Sequence, residues 1–144
     1  MADIISVYGK LLLEAMGQTL IMAFYSLIFA SVIGLIFGML SVLKSKVCNI
    51  IAQVFVDIIR GVPMIVLAFF VFFGIPYALK NFFHSTFTFT ALQAGIICLS
   101  LNCGAYMSEI IRAGIQSVDV GQMEAARSLG LPYWRAMHRV VMPQ

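Results

Sequence analysis

Three stretches without a charged side chain set the terms for this sequence. No Asp, Glu, Lys or Arg occurs from Ala15 to Leu43, from Gly61 to Leu79, or from Asn81 to Ser108. These gaps hold 29, 19 and 28 residues, and a helix needs about 20 apolar residues to cross a bilayer. A water-soluble domain carries about 25% charged residues. This chain carries 10%, with 62% hydrophobic residues and a mean hydropathy of +1.01. A soluble fold is excluded, and an all-α polytopic membrane protein with three transmembrane helices is expected, because lipid leaves backbone groups no partner except within a helix or closed barrel. The whole chain, residues 1–144, reads as one membrane-spanning domain with spans at about 19–43, 50–79 and 89–111.

Residues 1–18 read as a short amphipathic lead-in at the interface, with Ile4, Ile5, Tyr8, Leu11 and Leu12 near helical spacing and Asp3, Lys10 and Glu14 between them. The acidic residues and the length of the apolar run that follows argue against a cleavable signal peptide. Within the first span, Ala23, Ala30, Gly34, Gly38 and Ser41 make a stripe of small residues that includes a GxxxG. Such stripes let helix backbones approach closely, within a chain or between copies.

Lys44 to Asn49 form a basic turn, with Asn49 suited to cap the next helix. In that helix Gln53, Asp57 and Arg60 recur at i, i+4 and i+7, and Asp57 and Arg60 are spaced to pair. Gly61-Val62-Pro63 then interrupts the helix, since Pro63 lacks an N–H and disfavours helical backbone at Val62. The break is open to two readings, a kink at the interface or a moving element beside an ion pair. A polar loop from Lys80 to Thr88 carries His84, read as a solvated histidine. In the third span Ala91, Gly95, Cys98, Asn102, Ala105 and Glu109 form a small-and-polar seam that should face protein or water rather than lipid. Gly95, Cys98 and Asn102 are the candidates for a substrate path or subunit interface; for Asn102 an ordinary interhelical hydrogen bond is the competing account. Cys48, Cys98 and Cys103 have no metal-ligand spacing and are odd in number, so neither a metal site nor a disulfide framework is expected. No cofactor or catalytic residue is expected either.

Residues 117–144 are a polar island. Asp119 suits an N-cap, with Gln122 completing a capping-box pattern. Gly130 and Pro132 stop one short helix and start another. Gly121, Ala125 and Ser128 share one face of the first helix, a bare surface suited to docking in a groove of another protein; Glu124 flanks it, near enough to Arg127 to pair. The second helix places Trp134, Met137 and Val141 on one face and Arg135 and Arg139 on another, which suits a membrane interface. With this island inside the cell, seven Lys and Arg residues are cytoplasmic and two, Lys10 and Lys80, lie outside. That bias puts the N-terminus outside.

Glu124-Ala125-Ala126, then Gly130, then Met142-Pro143 resembles the EAA motif of binding-protein-dependent ABC importer permeases. Arg60-Gly-Val-Pro63, the stretch from Ala105 to Arg112 and that from Gly114 to Gly130 resemble the polar amino acid permease subgroup, and the similarity runs from Gly17 onward. The resemblance implies a type I-like permease in a bacterial cytoplasmic membrane, importing amino acids. It implies an ATPase subunit, a second permease subunit and an extracytoplasmic solute-binding protein as partners, and no nucleic acid. The EAA residues Glu124, Ala125 and Ala126, with Gly121, Ser128 and Gly130, would form two short cytoplasmic coupling helices against the ATPase. The resemblance implies about two more spans in family members, so this chain is expected to correspond to the N-terminal part of a permease, C-terminally incomplete.

Two other classes compete. A secondary transporter fragment would carry its coupling ionisable group deep in a span, whereas Asp57, Arg60 and Glu109 sit near the cytoplasmic ends. An intramembrane enzyme needs convergent catalytic groups, and His84 and His138 fall on opposite sides of the membrane. The sequence holds no GxxxxGK[ST], so ATP hydrolysis is expected of a partner rather than of this chain. The orientation makes a direct prediction: in intact cells an impermeant thiol reagent should leave Cys48 unlabelled until the membrane is opened, and labelling of intact cells would reverse the topology.

Overall fold

The computed structural model describes residues 2–43, 45–83 and 87–144. Lys44 and His84, singled out above, lie outside the described residues. Every element found among them is helical, as lipid requires of a spanning chain. Helix α1 is Ala2–Val42, α2 is Lys46–Gly61, α3 is Met64–Phe69, α4 is Ile75–Phe83 and α5 is Ala91–Ser117. Two short helices follow, α6 at Val120–Ser128 and α7 at Tyr133–Ala136. Three stretches are long and apolar enough to cross a membrane: Tyr8–Val42, Met64–Phe82 and Ala91–Ser117.

The lead-in is no separate element. Residues 2–18 continue directly into the first span as one helix of 41 residues, because no glycine–proline break separates them. Asn49 does not cap α2 either. That helix starts at Lys46 with Ser45 at the N-cap, and Asn49 Oδ1 instead accepts a 3.0 Å hydrogen bond from Gln53 Nε2 one turn on. The stretch expected to span as 50–79 is divided in two at Val62, and the apolar crossing begins at Met64. Helix α5 runs six residues beyond the expected Ile111 to Ser117. Its start is held by a capping box in which Thr90 Oγ1 accepts from Gln93 N–H and Gln93 Oε1 accepts from Thr90 N–H, at 3.3 and 3.0 Å.

Helices α1 and α5 form the centre. Their backbones meet where glycine removes the side chain: a Cβ on Gly34 would lie 2.5 Å from Met107 Cβ, and one on Gly104 would lie 2.8 Å from Ile33 Cγ2. Gly38 meets Ile111 and the Ser108 carbonyl in the same way. The GxxxG of the first span is thus spent on packing within the chain. Ser26 Oγ adds a 3.3 Å hydrogen bond to the Ile96 carbonyl. Helix α2 rests on this pair, with Ala52 and Val56 buried and Phe55 stacked on Phe37 at 3.9 Å between ring centroids. On the far side of the break, Leu67 and Val71 pack with Ala94 and Cys98 of α5 into an apolar cluster.

Between α3 and α4 the helix widens into a π-helical turn, Phe70–Gly74, in which Ile75 N–H reaches back to the Phe70 carbonyl. Pro76 follows directly, and its ring would crowd the carbonyl four residues earlier in a regular α-helix; the wider turn relieves this. The same arrangement recurs after α7, where Met137–Val141 is π-helical, Met142 N–H bonds the Met137 carbonyl at 2.9 Å, and Pro143 follows.

The α1–α5 contact can be tested by adding one methyl group. Gly34→Ala should destabilise the purified protein by about 1–3 kcal/mol, the usual cost of forcing volume into a closed contact. Gly17→Ala, where a Cβ meets nothing within 4 Å, should not. Thermal unfolding in detergent reads both.

Candidate functional site

The polar segment beyond α5 folds as a helical hairpin. Asp119 caps α6, its Oδ1 accepting from Gly121 N–H at 2.6 Å. Gln122 contributes its backbone N–H to the Asp119 carbonyl, and the expected capping box is absent among the described residues. At the other end Gly130 adopts φ +84°, the left-handed conformation that glycine reaches without cost. This lets Leu131 N–H bond the Ala126 carbonyl at 3.2 Å and Gly130 N–H bond the Arg127 carbonyl at 3.0 Å. Those are the two bonds of a Schellman turn, which satisfy carbonyls that a helix end otherwise leaves open. Pro132, expected in the first turn of the second helix, sits one place earlier at the N-cap of α7.

The hairpin divides the candidate coupling residues into two groups. Gly121, Glu124, Ala125 and Ser128 are exposed on one side of α6, and Gly130 is exposed at the turn. Ser128 Oγ donates to the Glu124 carbonyl at 2.9 Å, so its hydroxyl is bound to its own helix and the bare face keeps no free polar arm. Ala126 faces the other way and is 4% exposed. Successive helical residues turn by roughly 100°, so Glu124, Ala125 and Ala126 point in three directions and only the first two share the outer side. Ala126 packs inward, where Ala136, Met137 and Val141 are also buried and α6 lies against α7 and the π-helical turn. That burial overturns the interfacial reading of the second helix: Met137 and Val141 are used inside the hairpin, and Trp134 alone of that face is exposed. Glu124 and Arg127, near enough to pair by spacing, form no ion pair among the described residues.

The seam of the third span is also divided. Cys98 is 1% exposed and its Sγ lies 3.7 Å from the Met64 carbonyl, inside the cluster with Leu67 and Val71. It is a packing residue between α3 and α5 and lines no path within this chain. Gly95 lies close to α1, where a Cβ would come within 2.9 Å of Met22 Cε. It also borders a hollow of about 380 Å³ whose lining is wholly apolar, including Ile65, Phe69 and Phe72. Asn102 is half-buried, and its side chain has no hydrogen-bond partner among the described residues. The interhelical hydrogen bond offered as its ordinary role is therefore not made within this chain.

Spacing arguments missed the grouping at the inner end of the seam. Arg60, the last cation of α2, does not turn to Asp57. Its Nη1 lies 3.9 Å from Glu109 Oε2, and its guanidinium sits over the Tyr106 ring, 4.8 Å from the centroid. Glu109 also takes a 3.2 Å hydrogen bond from Arg112 Nη1, three residues along the same helix. Tyr106, Glu109 and Arg112 lie in the stretch from Ala105 to Arg112 that carries the family resemblance, but a contact between helices cannot be read from either helix alone.

The described residues thus form three helical stretches able to cross a membrane, followed by a polar segment folded as a helical hairpin with one exposed side. Residues 30–144 match the family described as binding-protein-dependent transport system inner membrane component, and the chain belongs to that family. It is 38% identical over 132 residues to a protein of Bacillus subtilis named as a probable amino-acid ABC transporter permease protein, YckA, covering 92% of this chain and 55% of that one. It is 39% identical over 141 residues to a Rickettsia prowazekii protein bearing the name of a glutamine transport system permease, GlnP, covering 95% and 61%. A chain in the crystal structure of an amino acid ABC transporter with histidines superposes with a TM-score of 0.81 at 34% identity, over 97% of this chain and 62% of that one. The chain thus spans a little over half the length of the relatives it matches.

The division of the hairpin predicts opposite effects for adjacent alanines. Ala126→Leu should destabilise the segment by about 1–3 kcal/mol through overpacking, whereas Ala125→Leu should leave it within about 0.5 kcal/mol of the parent. Protease susceptibility of the segment in the purified protein distinguishes them.

Proposed function

We propose that this chain is permease sequence of an ABC importer for amino acids, with the outer face of α6 docking on a separate ATPase subunit. The observation that carries this reading is the conjunction of Gly121, Ala125 and Ser128 on one exposed face with the left-handed turn at Gly130 that fixes the helix end. A face without long side chains buries little inside its own chain, yet it lets a partner approach the helix closely. Amino acids as cargo rest on the relatives, which are named for amino-acid or glutamine transport. A binding protein as partner is supported by the family's description as the inner membrane component of a binding-protein-dependent system; a second permease subunit, and an extracytoplasmic place for the binding protein, rest on the family resemblance.

The basic residues support an orientation with the hairpin in the cytoplasm. Arg112, Arg127, Arg135 and Arg139 cluster at the inner end of α5 and beyond it, while Lys80 stands at the opposite end of the neighbouring span. ATP hydrolysis then belongs to the partner, and this chain transmits its movement to the spans. Asn102, half-buried without a partner among the described residues, remains the candidate of the seam for the substrate path or the facing permease subunit.

The test uses the complete complex reconstituted with its binding protein, with hydrolysis and uptake measured together. Glu124→Lys reverses a charge at the docking edge, and Gly130→Asp puts a side chain on a left-handed residue at a cost of about 1–2 kcal/mol. Both variants should insert normally and lose substrate-stimulated hydrolysis or its coupling to uptake by tenfold or more. Normal stimulated hydrolysis and uptake in both would remove α6 from the coupling role.

A further inference from the structure

The charges around the helix break form a set with two ways of pairing. In the structure Arg60 reaches from α2 to Glu109 on α5 at 3.9 Å, at the long limit for an ion pair, with both side chains about 40% exposed (40% and 39%). Glu109 is held more closely by Arg112 of its own helix, at 3.2 Å. If Arg60 moved away, Glu109 would keep a cation beside it. Arg60 has a matching fallback. Asp57 lies three residues earlier on α2, the spacing at which side chains on one helix meet, and has no ion-pair partner among the described residues. Each charge that joins α2 to α5 can therefore be neutralised within its own helix. Isolated charges near a membrane are costly, and an interhelical pair without such fallbacks would be held shut by that cost.

The backbone beside this set is suited to movement. Helix α2 ends at Gly61, where a Cβ would meet nothing within 4 Å. Val62 and Pro63 are extended, with φ −97°, ψ 131° and φ −55°, ψ 136°. Pro63 has no N–H to give, and its carbonyl already serves the first turn of α3, accepting from Val66 and Leu67 N–H. The far side of the joint is anchored by apolar packing of Leu67 and Val71 on Ala94 and Cys98, and Val62 of the joint and Ile59 of the last turn of α2 lie partly buried against the same cluster. On the near side α2 rests on its neighbours through buried Ala52 and Val56 and the Phe55–Phe37 stack, and Arg60 over Tyr106 and beside Glu109 adds a polar link from its last turn to α5.

From this we infer that α2 is a hinged element with two states. In one, Arg60 clasps Glu109 and Tyr106 on α5; in the other, Arg60 pairs with Asp57, Glu109 stays with Arg112, and the inner end of α2 swings from α5 about Gly61–Pro63. The switch exchanges one interhelical ion pair for one within α2, where Asp57 gains the partner it lacks in the first state, so it is biased by whatever binds the two positions of α2 differently. It concerns a different part of the chain from the α6 docking face, and it does not depend on what is transported.

Cys48 in the first turn of α2 and the exposed Cys103 of α5 give a natural label pair, since Cys98 is buried. Spin labels on both, in the intact complex in lipid vesicles and with labelled chain diluted by unlabelled chain, report the α2–α5 distance. Two distances are expected. Asp57→Asn removes the fallback of Arg60 and should raise the share of the short distance about two- to five-fold; Glu109→Gln removes the clasp and should raise the long one by a similar factor, the range set by a half-exposed ion pair. A single distance unmoved by either variant, or movement of both variants in one direction, overturns the inference. Asp57→Asn removes no contact seen here, so if Glu109→Gln does not assemble, Asp57→Asn decides alone: a shift to the short distance supports the hinge, and no shift overturns it.

Discussion

The contact between α1 and α5 carries the membrane part of this chain. Lipid tails are as apolar as leucine, so helices gain little by hiding apolar side chains from them, and association depends on close packing. Gly34 and Gly38 on α1 and Gly104 on α5 remove the side chains at the points where the two helices meet, and any Cβ there would fall inside a neighbour's contact distance. Ala30 and Ala105 are fully buried in the same structure. With this pair fixed, α2 has a surface to lie on through Ala52, Val56 and Phe55, and α3 packs on α5 through Leu67 and Val71. Large apolar side chains such as Leu20, Phe24, Leu35 and Ile110 are left outward, as a surface facing lipid or another subunit requires.

Proline governs where this framework departs from regular helix, by two different means. At Pro63 the chain separates into two helices with extended residues between them. At Pro76 the helix stays continuous and absorbs the ring through a π-helical turn, whereas the π-helical turn before Pro143 has already ended at Val141. The difference lies in what precedes each proline. Gly61 is exposed at the end of α2, whereas Val71, in the π-helical turn before Pro76, is buried.

The polar end of the molecule follows the same logic on a smaller scale. The hairpin of α6 and α7 has a core of little more than two alanines, Met137 and Val141, which leaves the opposite side of α6 bare and exposed. Its shape is set mainly by backbone chemistry, the Asp119 cap and the Gly130 turn, and so stands without a large apolar interior. That is consistent with a segment whose outer face is completed by another protein.

Much of this was present in the sequence. Charge-free stretches fix three spans because burying a charge in lipid is expensive, and that penalty acts on composition whatever the partners. Gly130 and Pro63 act through their own backbone geometry and Asp119 through a side chain that reaches only two residues along, so their effects are legible locally. Expectations failed wherever a side chain had a choice between its own helix and another. Arg60 was spaced for Asp57 but lies with Glu109; Cys98 shared a seam with Asn102 but is buried in packing; Ala126 stands in the motif beside exposed Ala125 but is buried; Met137 and Val141 looked interfacial and are the hairpin's core. Helical spacing determines which residues share a face. Which neighbour that face meets, and so which charges pair and which glycines are filled by another helix, is decided only when the helices are brought together in three dimensions.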